Sequence, residues 1–372
     1  MTKIIYFPVA VRSKYVALIS SALPENYQTE FLSTPDLDPV IRRIRGGESI
    51  ILHIQWEEFA FKTCRSAKNA LSIARLLERQ LKKLRRISAR VVWTVHNGIP
   101  HQIKFVESFL HLRRAVARAA DVILVHNRSS IQFLKDQIGL GPERMRILRH
   151  PSYLGHYEPE QVTLLAPVRQ TGRTILGFGT LRDQKGFDEM LEMLSPDFLA
   201  QQGARVRIVG EGKAGEGLRQ RHAARGDVDF ALGYVPDSDV PGLLRSVACI
   251  VLPYRHFLTS GVAHLALTHG VPMVAPDAEQ FRELIPAHNH GLLFREGDAD
   301  DFRRAVATAL NLTEAERLRL ARAFLEQAQE LHPHKISGQL AAVYDELARQ
   351  RRKVVGLLEH LLGRLRISPT GI

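Results

Sequence analysis

Cysteine is almost absent from this sequence of 372 residues, and the two that occur, Cys64 and Cys249, are far apart and follow no metal-ligand spacing. Disulfides are therefore not expected, which fits a reducing compartment. No histidine pair has the i, i+4 spacing with a carboxylate that zinc hydrolases use, so we expect neither a structural nor a catalytic metal.

Long hydrophobic runs are also missing. No stretch approaches the roughly 18 apolar residues that a membrane-spanning helix needs, and residues 1–7 indicate a strand rather than a signal peptide. We expect a cytoplasmic protein, either free or peripheral on the inner face of the cytoplasmic membrane.

Glycine is absent from the turn after the first predicted strand, residues 7–15. Dinucleotide-binding proteins carry G-x-G-x-x-G at this turn, because the pyrophosphate requires close approach of the backbone. A nicotinamide- or flavin-dependent dehydrogenase is therefore disfavoured, and no cofactor is expected.

The net charge of +12 is unevenly distributed, since the basic excess lies in residues 1–150 and the remainder is close to neutral. Residues 62–90 carry the densest cluster and have apolar residues at helical spacing, which predicts a basic amphipathic helix. An ordinary solvated helix face, an anionic lipid surface and nucleic acid are three interpretations of it, and we expect the anionic membrane surface as its partner. The basic residues of this cluster are Lys62, Arg65, Lys68, Arg75, Arg79, Lys82, Lys83, Arg85, Arg86 and Arg90.

Strands alternate with helices in two successive sets, which predicts an α/β fold with two doubly wound, Rossmann-like domains facing one another across a cleft. The expected parts are a domain at 1–150, a linker at 151–172, a domain at 173–335 and a helix within 336–372. Strands are predicted near residues 3–8, 28–32, 49–55, 90–96, 121–126, 145–149, 173–178, 205–210, 228–232, 248–253, 272–275 and 291–294. Helices are predicted near 13–22, 38–45, 58–87, 101–119, 128–138, 187–194, 213–224, 238–246, 261–269, 279–285, 299–311, 313–330 and 335–365.

The segment Gly177-Phe-Gly-Thr-Leu-Arg-Asp-Gln-Lys-Gly186 places two cations after a glycine-containing turn between a predicted strand and a predicted helix. Glycines let backbone N–H groups approach an anion, the helix N-terminus adds positive potential, and Arg182 and Lys185 supply charge-assisted hydrogen bonds. The alternative is that both are solvent-facing turn residues. Further along, Thr259-Ser260-Gly261 opens a second helix suited to an anion. Two such sites on one domain indicate a nucleotide diphosphate.

Further motifs in the second half are Val209-Gly-Glu-Gly212, Leu232-Gly-Tyr-Val-Pro-Asp237, Leu252-Pro-Tyr254, Gly270-Val-Pro-Met-Val274 and Gly291-Leu-Leu-Phe294. Together with Gly179-Thr-Leu-Arg-Asp-Gln-Lys-Gly186 and Ser260-Gly261, they resemble the nucleotide-sugar glycosyltransferases of the GT-B fold. The first half carries Leu52-His-Ile-Gln-Trp-Glu57 and Val92-Trp-Thr-Val-His-Asn-Gly-Ile-Pro-His101, and it is similar to bacterial enzymes that build exopolysaccharide repeat units on lipid carriers.

The resemblance implies transfer of a hexose from a UDP- or GDP-sugar to a lipid-linked saccharide in exopolysaccharide or cell-surface glycan synthesis. It implies a donor-binding second domain, an acceptor-binding first domain and a last helix that packs back onto the first domain. The donor-binding residues would be Gly179, Arg182, Lys185, Tyr254, Thr259, Ser260 and Gly261.

The sequence departs from this family at one point. Members commonly have two glutamates eight positions apart around the second helix start, and the aligned positions here are Phe257 and Leu265. Glu279 and Glu283 are candidates to replace them in donor binding. Inverting and retaining stereochemistry both stay open.

Glycosyl transfer requires a group that accepts a proton from the acceptor hydroxyl. Glu57, followed by Glu58, lies beyond the strand at 49–55, and His96 lies at the end of the next strand. Glu57 would be the base of an inverting enzyme, whereas in a retaining one the resemblance implies that His96 contacts the donor sugar. The alternatives are a helix-start acid for Glu57 and a strand-end capping residue for His96.

Acceptor binding is expected from the first turn and from one aromatic residue. Arg12, Ser13 and Lys14 could hold the pyrophosphate of a lipid-linked acceptor, although exposed loop charges explain them equally well. Trp56 could stack on a sugar ring or belong to the core.

A basic nucleic-acid-binding α/β protein is the alternative function, suggested by the pI of 9.9 and the basic cluster. No zinc finger, RNP-type strand or KH loop supports it, so we expect no nucleic-acid partner. A second basic amphipathic segment at 351–366 could also contact a membrane surface.

Overall fold

A computed structural model of the chain describes residues 1–8, 13–98, 104–165, 172–255 and 257–365, except for the side chains of Gln184 and of residues 350–365. Its strands form two six-stranded parallel sheets. The strands are β1 Thr2–Phe7, β2 Tyr27–Phe31, β3 Ile50–Ile54, β4 Arg90–Thr94, β5 Val122–Val125, β6 Met145–Ile147, β7 Thr174–Phe178, β8 Arg205–Gly210, β9 Val228–Leu232, β10 Cys249–Val251, β11 Met273–Pro276 and β12 Leu293–Phe294.

Helices connect the strands. They are α1 Lys14–Ile19, α2 Asp38–Arg45, α3 Ala67–Arg86, α4 Val106–Ala119, α5 Arg128–Ile138, α6 Glu160–Leu165, α7 Phe187–Met193, α8 Pro196–Gln201, α9 Gly215–Arg221, α10 Val240–Arg245, α11 Gly261–Thr268, α12 Glu279–Leu284, α13 Ala299–Leu310, α14 Glu314–Glu330 and α15 Pro333–Leu365. Short 3-10 helices occur at Glu57–Phe61, Pro142–Arg144, Asp183–Lys185, Asp237–Asp239 and Ala287–Leu292.

The chain divides into two compact units. Unit one contains Met1–Val125, Ser130–Leu148 and the chain from Ile336 onward, and unit two contains His126–Ser129 and Arg149–Lys335. The parallel strands of both units are mostly apolar, as expected for sheets covered on both faces.

The sheet of unit one has the order β2-β1-β3-β4-β5-β6. β1 and β3 pair so that Phe7 lies beside Ile54, and β3 and β4 pair so that Ile54 lies beside Trp93. Helix α15 packs on this sheet, because the buried Tyr344 hydroxyl lies 2.6 Å from Nδ1 of His53.

The sheet of unit two has the order β12-β11-β10-β7-β8-β9. β7 is the first strand of the unit in the chain, yet it lies beside β10, with Ile175 and Leu176 next to Cys249 and Ile250. The chain therefore reverses its direction of winding between β7 and β10, and ligands of open α/β sheets bind outside the strand ends at such a point.

All twelve strands lie where the sequence predicts them, but the helices differ in two respects. The helix predicted at 58–87 is broken, because the hydroxyl of Ser66 accepts a hydrogen bond from the Asn69 amide and starts α3 afresh. α6 and α8 were not predicted. The signal for α8 is present in the sequence, since Ser195 caps it and Pro196 occupies its first position.

Helix α3 contains most of the basic cluster, and several of the apolar residues between its cations are buried. Its buried residues include Ala70, Ala74, Leu77, Leu81 and Leu84, and α3 packs against α4. Most of its basic residues are exposed. The surface it offers is therefore charged rather than amphipathic. Among the described residues, no helix combines the length and apolar character needed to cross a bilayer.

Candidate functional site

The loop after β7 carries the predicted phosphate-binding residues of unit two, and its glycines serve packing. The Gly179 amide donates to the carbonyl of Val209 at 3.0 Å, and the Gly186 amide donates to Asp183 at 3.1 Å. These two amides are therefore not free for an anion, which revises the role that the sequence suggested. Gly186 has φ +69°, and a Cβ there would lie 2.0 Å from the carbonyl oxygen of Pro253. Glycine at this position lets the loops after β7 and β10 meet.

Lys185 is held at this crossing. Its ammonium lies 3.6 Å from the ring centroid of Tyr254, and Tyr254 is 2% exposed. Within the described chain, Lys185 forms no ion pair with a carboxylate. A cation over an aromatic face is attracted to the ring but keeps its N–H donors for another acceptor. The arrangement thus fixes a positive charge at the switch point of the sheet.

Arg182 has different neighbours. It is exposed and borders a cavity of about 380 Å³ together with Phe187, Asp188 and Leu218. The three-residue spacing therefore does not give Arg182 and Lys185 a common set of contacts.

The start of α11 is the second predicted anion site. Ser260 caps the helix by accepting a hydrogen bond from the Ala263 amide at 3.2 Å. Beside it, Tyr153 places its hydroxyl 2.8 Å from the point where a Cβ on Gly261 would lie. This tyrosine was not a predicted site residue, because it lies in the segment expected to be a linker. The helix start offers positive potential beside a tyrosine hydroxyl and a half-buried Thr259.

A small cavity adjoins this helix start. It encloses about 30 Å³, which is room for a water molecule and not for a sugar. Predicted residues Thr259, Ser260 and Glu283 all border it, and the buried Oε1 atom of Glu283 has no hydrogen-bond partner in the described structure. Glu279 is exposed and does not border it.

Three histidines also border this cavity. The ring of His150 lies 5.6 Å from that of His126 and 4.3 Å from that of His264. Burial lowers the pKa of His264 to about 4. Sequence spacing gave no signal for this cluster. Among the described residues, no group of three or more His, Cys, Asp or Glu is arranged to hold a metal ion.

Phe257 and Leu265 stand at the two positions where the resembled family has glutamates, and both side chains are apolar. The ring of Phe257 lies 4.6 Å from that of Phe281, and Leu265 is 3% exposed. Neither can accept a hydrogen bond from a sugar hydroxyl.

Glu57 of unit one lies in a buried ion pair. Its Oε1 accepts a 2.8 Å hydrogen bond from Nε of Arg113, and its Oε2 accepts a 3.1 Å bond from the indole of Trp93. Arg113 is 0% exposed and Glu57 2%. Both carboxylate oxygens are therefore engaged, and this geometry suits a fixed structural charge rather than a proton acceptor.

Glu58 has a different environment. It is only partly buried and accepts a hydrogen bond from Nδ2 of Asn97. Burial and the neighbouring charge of Glu57 raise the pKa of Glu58 to about 7. A carboxylate that titrates near neutral pH suits general acid–base chemistry.

An aromatic stack adjoins these carboxylates. The ring of Trp56 stacks on that of His96, with the ring centroids 4.3 Å apart, and on that of Phe59, with the centroids 5.8 Å apart. Nε2 of His96 lies 2.8 Å from Oε1 of Gln55. Phe59 is 43% exposed, so the stack runs from the buried strand end to the surface. This places Trp56 and His96 in one layer, with an exposed aromatic face suited to a sugar ring.

The first turn is described in part. Ser13 caps α1 by accepting a 3.4 Å hydrogen bond from the Val16 amide, and Lys14 is half-buried. Arg12 lies outside the described residues.

Comparison with known proteins agrees with this arrangement. Residues 172–311 match the family model described as "Glycosyl transferases group 1". A curated protein named GDP-mannose:glycolipid 4-beta-D-mannosyltransferase, from Xanthomonas campestris pv. campestris, is 27% identical over 305 residues, covering 79% of this chain and 78% of that protein.

Solved structures match nearly the whole chain. Sucrose-phosphate synthase from Thermosynechococcus elongatus gives a TM-score of 0.70 at 16% identity, over 93% of this chain and 99% of that chain. Anabaena HepE in complex with UDP and glucose gives 0.65 at 16% identity, over 93% and 100%. At this identity the structures establish the fold, and the family model and the curated relative add the type of activity. With two parallel α/β sheets and a glycosyl transferases group 1 domain at 172–311, the chain is a glycosyltransferase of the GT-B fold.

Proposed function

We propose that this enzyme transfers a hexose from a UDP- or GDP-sugar to a lipid-linked saccharide during synthesis of an exopolysaccharide or cell-surface glycan. GDP-mannose is the first donor to test, because the curated relative is named for that donor and for a glycolipid acceptor. UDP-glucose is the second, because a structural neighbour was solved with UDP and glucose.

The observation that carries the proposal is the fixed charge of Lys185 at the switch point between β7 and β10. Cleavage of a sugar–diphosphate bond builds negative charge on the leaving phosphate, and a cation already in place stabilises that charge without reorganisation. The start of α11, with Thr259, Ser260 and Gly261, supplies further positive potential. Arg182 and Tyr254 complete the proposed donor site, Gly179 shapes its loop, and Glu279 and Glu283 are candidate acceptors for sugar hydroxyls. No resident metal is proposed, so turnover should persist in EDTA.

Acceptor binding is proposed for unit one, at the strand ends that carry Trp56, His96 and Ser13-Lys14. The exposed ring of Phe59, at the surface end of the stack with Trp56 and His96, suits a saccharide ring. The cations of the first turn suit a lipid-linked diphosphate.

The donor site is tested by replacing its central cation. We expect Lys185→Ala to lower turnover at least tenfold, equivalent to about 1.4 kcal/mol of transition-state stabilisation. The matched control is Lys213→Ala, an exposed lysine in the loop after β8, which should leave turnover unchanged. Purified protein would be incubated with radiolabelled GDP- and UDP-sugars and membrane extracts that contain lipid-linked oligosaccharides. Unchanged turnover in Lys185→Ala would remove this residue from the mechanism.

Location on the inner membrane surface is proposed from the exposed cations of α3. Each basic residue near an anionic surface contributes about 1 kcal/mol, so Arg75→Gln/Arg79→Gln should weaken binding to anionic vesicles roughly thirtyfold. Arg319→Gln/Arg322→Gln, which removes two exposed charges of α14, is the control. Flotation with anionic and neutral vesicles measures the partitioning. Equal binding to both vesicle types would contradict the proposal, and tighter binding to oligonucleotides than to vesicles would favour the nucleic-acid alternative.

A further inference from the structure

Two adjacent carboxylates of unit one have opposite environments, and this difference assigns them different roles. We propose that Glu58 accepts the proton of the acceptor hydroxyl, while the buried pair of Glu57 and Arg113 positions it, so that the enzyme inverts the anomeric configuration. The inference rests on the proposed function and identifies its proton acceptor.

The first step of the argument concerns access. Glu57 is buried, and its two oxygens are bound by Arg113 and by Trp93. A substrate hydroxyl would have to displace one of these donors and leave Arg113 unpaired, which is costly in a low-dielectric interior. Glu58 keeps an exposed fraction, and its carboxylate accepts a hydrogen bond from the side chain of Asn97. Of the two, only Glu58 can meet a hydroxyl from solution.

The second step concerns position. Glu58 lies in the 3-10 helix Glu57–Phe61, directly beyond the carboxyl end of β3. Arg113 fixes this segment from α4, because its guanidinium also donates to the carbonyls of Asn97 and Gly98 at 2.9 Å. Asn97 is the residue whose side chain binds Glu58. The buried guanidinium of Arg113 therefore binds both Glu57, which precedes Glu58 in the chain, and Asn97, which donates to Glu58. These contacts fix the position of the Glu58 carboxylate.

The third step concerns charge. The ionisable groups that act on Glu58 are Glu57, which disfavours its charged form, and Arg113, which favours it, while Asn97 donates a hydrogen bond to it. Burial and Glu57 outweigh Arg113, Asn97 and a hydrogen bond from the Glu58 backbone, so the pKa of Glu58 is raised. A base with a pKa near the working pH combines a useful ionised fraction with a strong drive to take the proton.

The reaction balances as a single displacement. The acceptor oxygen forms a bond to the anomeric carbon while its proton passes to the Glu58 carboxylate. The bond from the anomeric carbon to the diphosphate oxygen breaks, and the nucleoside diphosphate leaves with the electron pair. Glu58 then releases the proton to solvent. Attack opposite the leaving group inverts the anomeric centre, so an α-linked donor sugar gives a β-linked product. Apolar residues at positions 257 and 265 agree with a site that lacks the glutamates of many relatives.

The test compares Glu58→Gln with Glu25→Gln, an exposed glutamate of unit one, in turnover, nucleotide affinity and product configuration. We expect Glu58→Gln to lose at least a hundredfold in kcat, with an unchanged Kd for GDP or UDP and a native tryptophan emission spectrum, and Glu25→Gln to match the wild type. The wild-type product should be β-linked by NMR. In Glu57→Gln, loss of the neighbouring negative charge should move the acid limb of the kcat/KM profile to lower pH, a shift that a purely structural role of Glu57 would not produce.

The outcomes separate this inference from the proposed function. Turnover of Glu58→Gln within fivefold of wild type, or an α-linked product, would refute the role of Glu58 and leave glycosyl transfer standing. Absence of transfer by the wild type from every nucleotide sugar would refute both.

Discussion

The buried ion pair of unit one gives the sharpest stability prediction. Arg113→Met removes the partner of Glu57 while keeping an unbranched apolar side chain in the space beside Phe109, whose ring centroid lies 4.4 Å from the guanidinium. Glu57 would stay buried without its charged partner, which costs about 3–5 kcal/mol. The carbonyls of Asn97 and Gly98 would also lose a donor, so the upper part of this range is expected.

Tryptophan fluorescence is the appropriate assay, because the only two tryptophans of the sequence are Trp56 and Trp93. Both belong to unit one, and the indole of Trp93 donates to Glu57. The signal therefore reports the unfolding of unit one even if unit two unfolds separately. At a urea dependence of about 2 kcal/mol/M, we expect the midpoint of Arg113→Met to fall by about 2 M.

Two further variants test the reasoning. Arg114→Met alters the next residue of α4, which is exposed, and should change stability by less than about 0.5 kcal/mol. Arg113→Met/Glu57→Gln removes both charges and should be less destabilised than the sum of the single variants, because no unpaired charge stays buried. A free energy of unfolding of Arg113→Met within about 1 kcal/mol of that of Arg114→Met would refute the assignment of a buried, stabilising pair.

Three other predictions concern the loops and the titration. Gly186→Ala should destabilise unit two by more than Gly297→Ala, as measured by thermal unfolding. Both glycines have positive φ, but only a Cβ at Gly186 would lie 2.0 Å from the carbonyl oxygen of Pro253. Equal shifts of the melting temperature would contradict the close approach of the loops after β7 and β10. Ser260→Ala should cost about 1 kcal/mol through loss of the α11 cap, as measured by thermal unfolding, and no change would show that the cap is dispensable. The pKa of Glu58 is raised to about 7 in the folded protein from 4.5, so its contribution to stability falls as pH rises through this interval. Glu58→Gln should therefore gain stability relative to wild type between pH 5 and about 8 in urea titrations, and a constant difference would contradict the raised pKa.

The strands and the broad fold could be predicted because they depend on local pattern. Buried parallel strands are nearly continuous apolar runs, as in Val122–Val125 and, apart from His53, Ile50–Ile54. Their alternation with helices allows few arrangements. Helix breaks were less predictable. The capping serine Ser66 competes with a strong helical pattern on both sides, and only the hydrogen bond to Asn69 decides the outcome.

The sequence by itself determined the alternating α/β order, the two phosphate-suited loops, the uneven charge and the absence of glutamates at positions 257 and 265. The tertiary structure decided which of two adjacent glutamates is accessible, because the partner of Glu57 is Arg113, 56 residues away in the chain. It also decided that Lys185 rests on Tyr254 and that the glycines serve loop packing. Local pattern reflects interactions between near neighbours in the chain, whereas burial, charge pairing and the resulting pKa depend on residues that meet only when the sheet has formed.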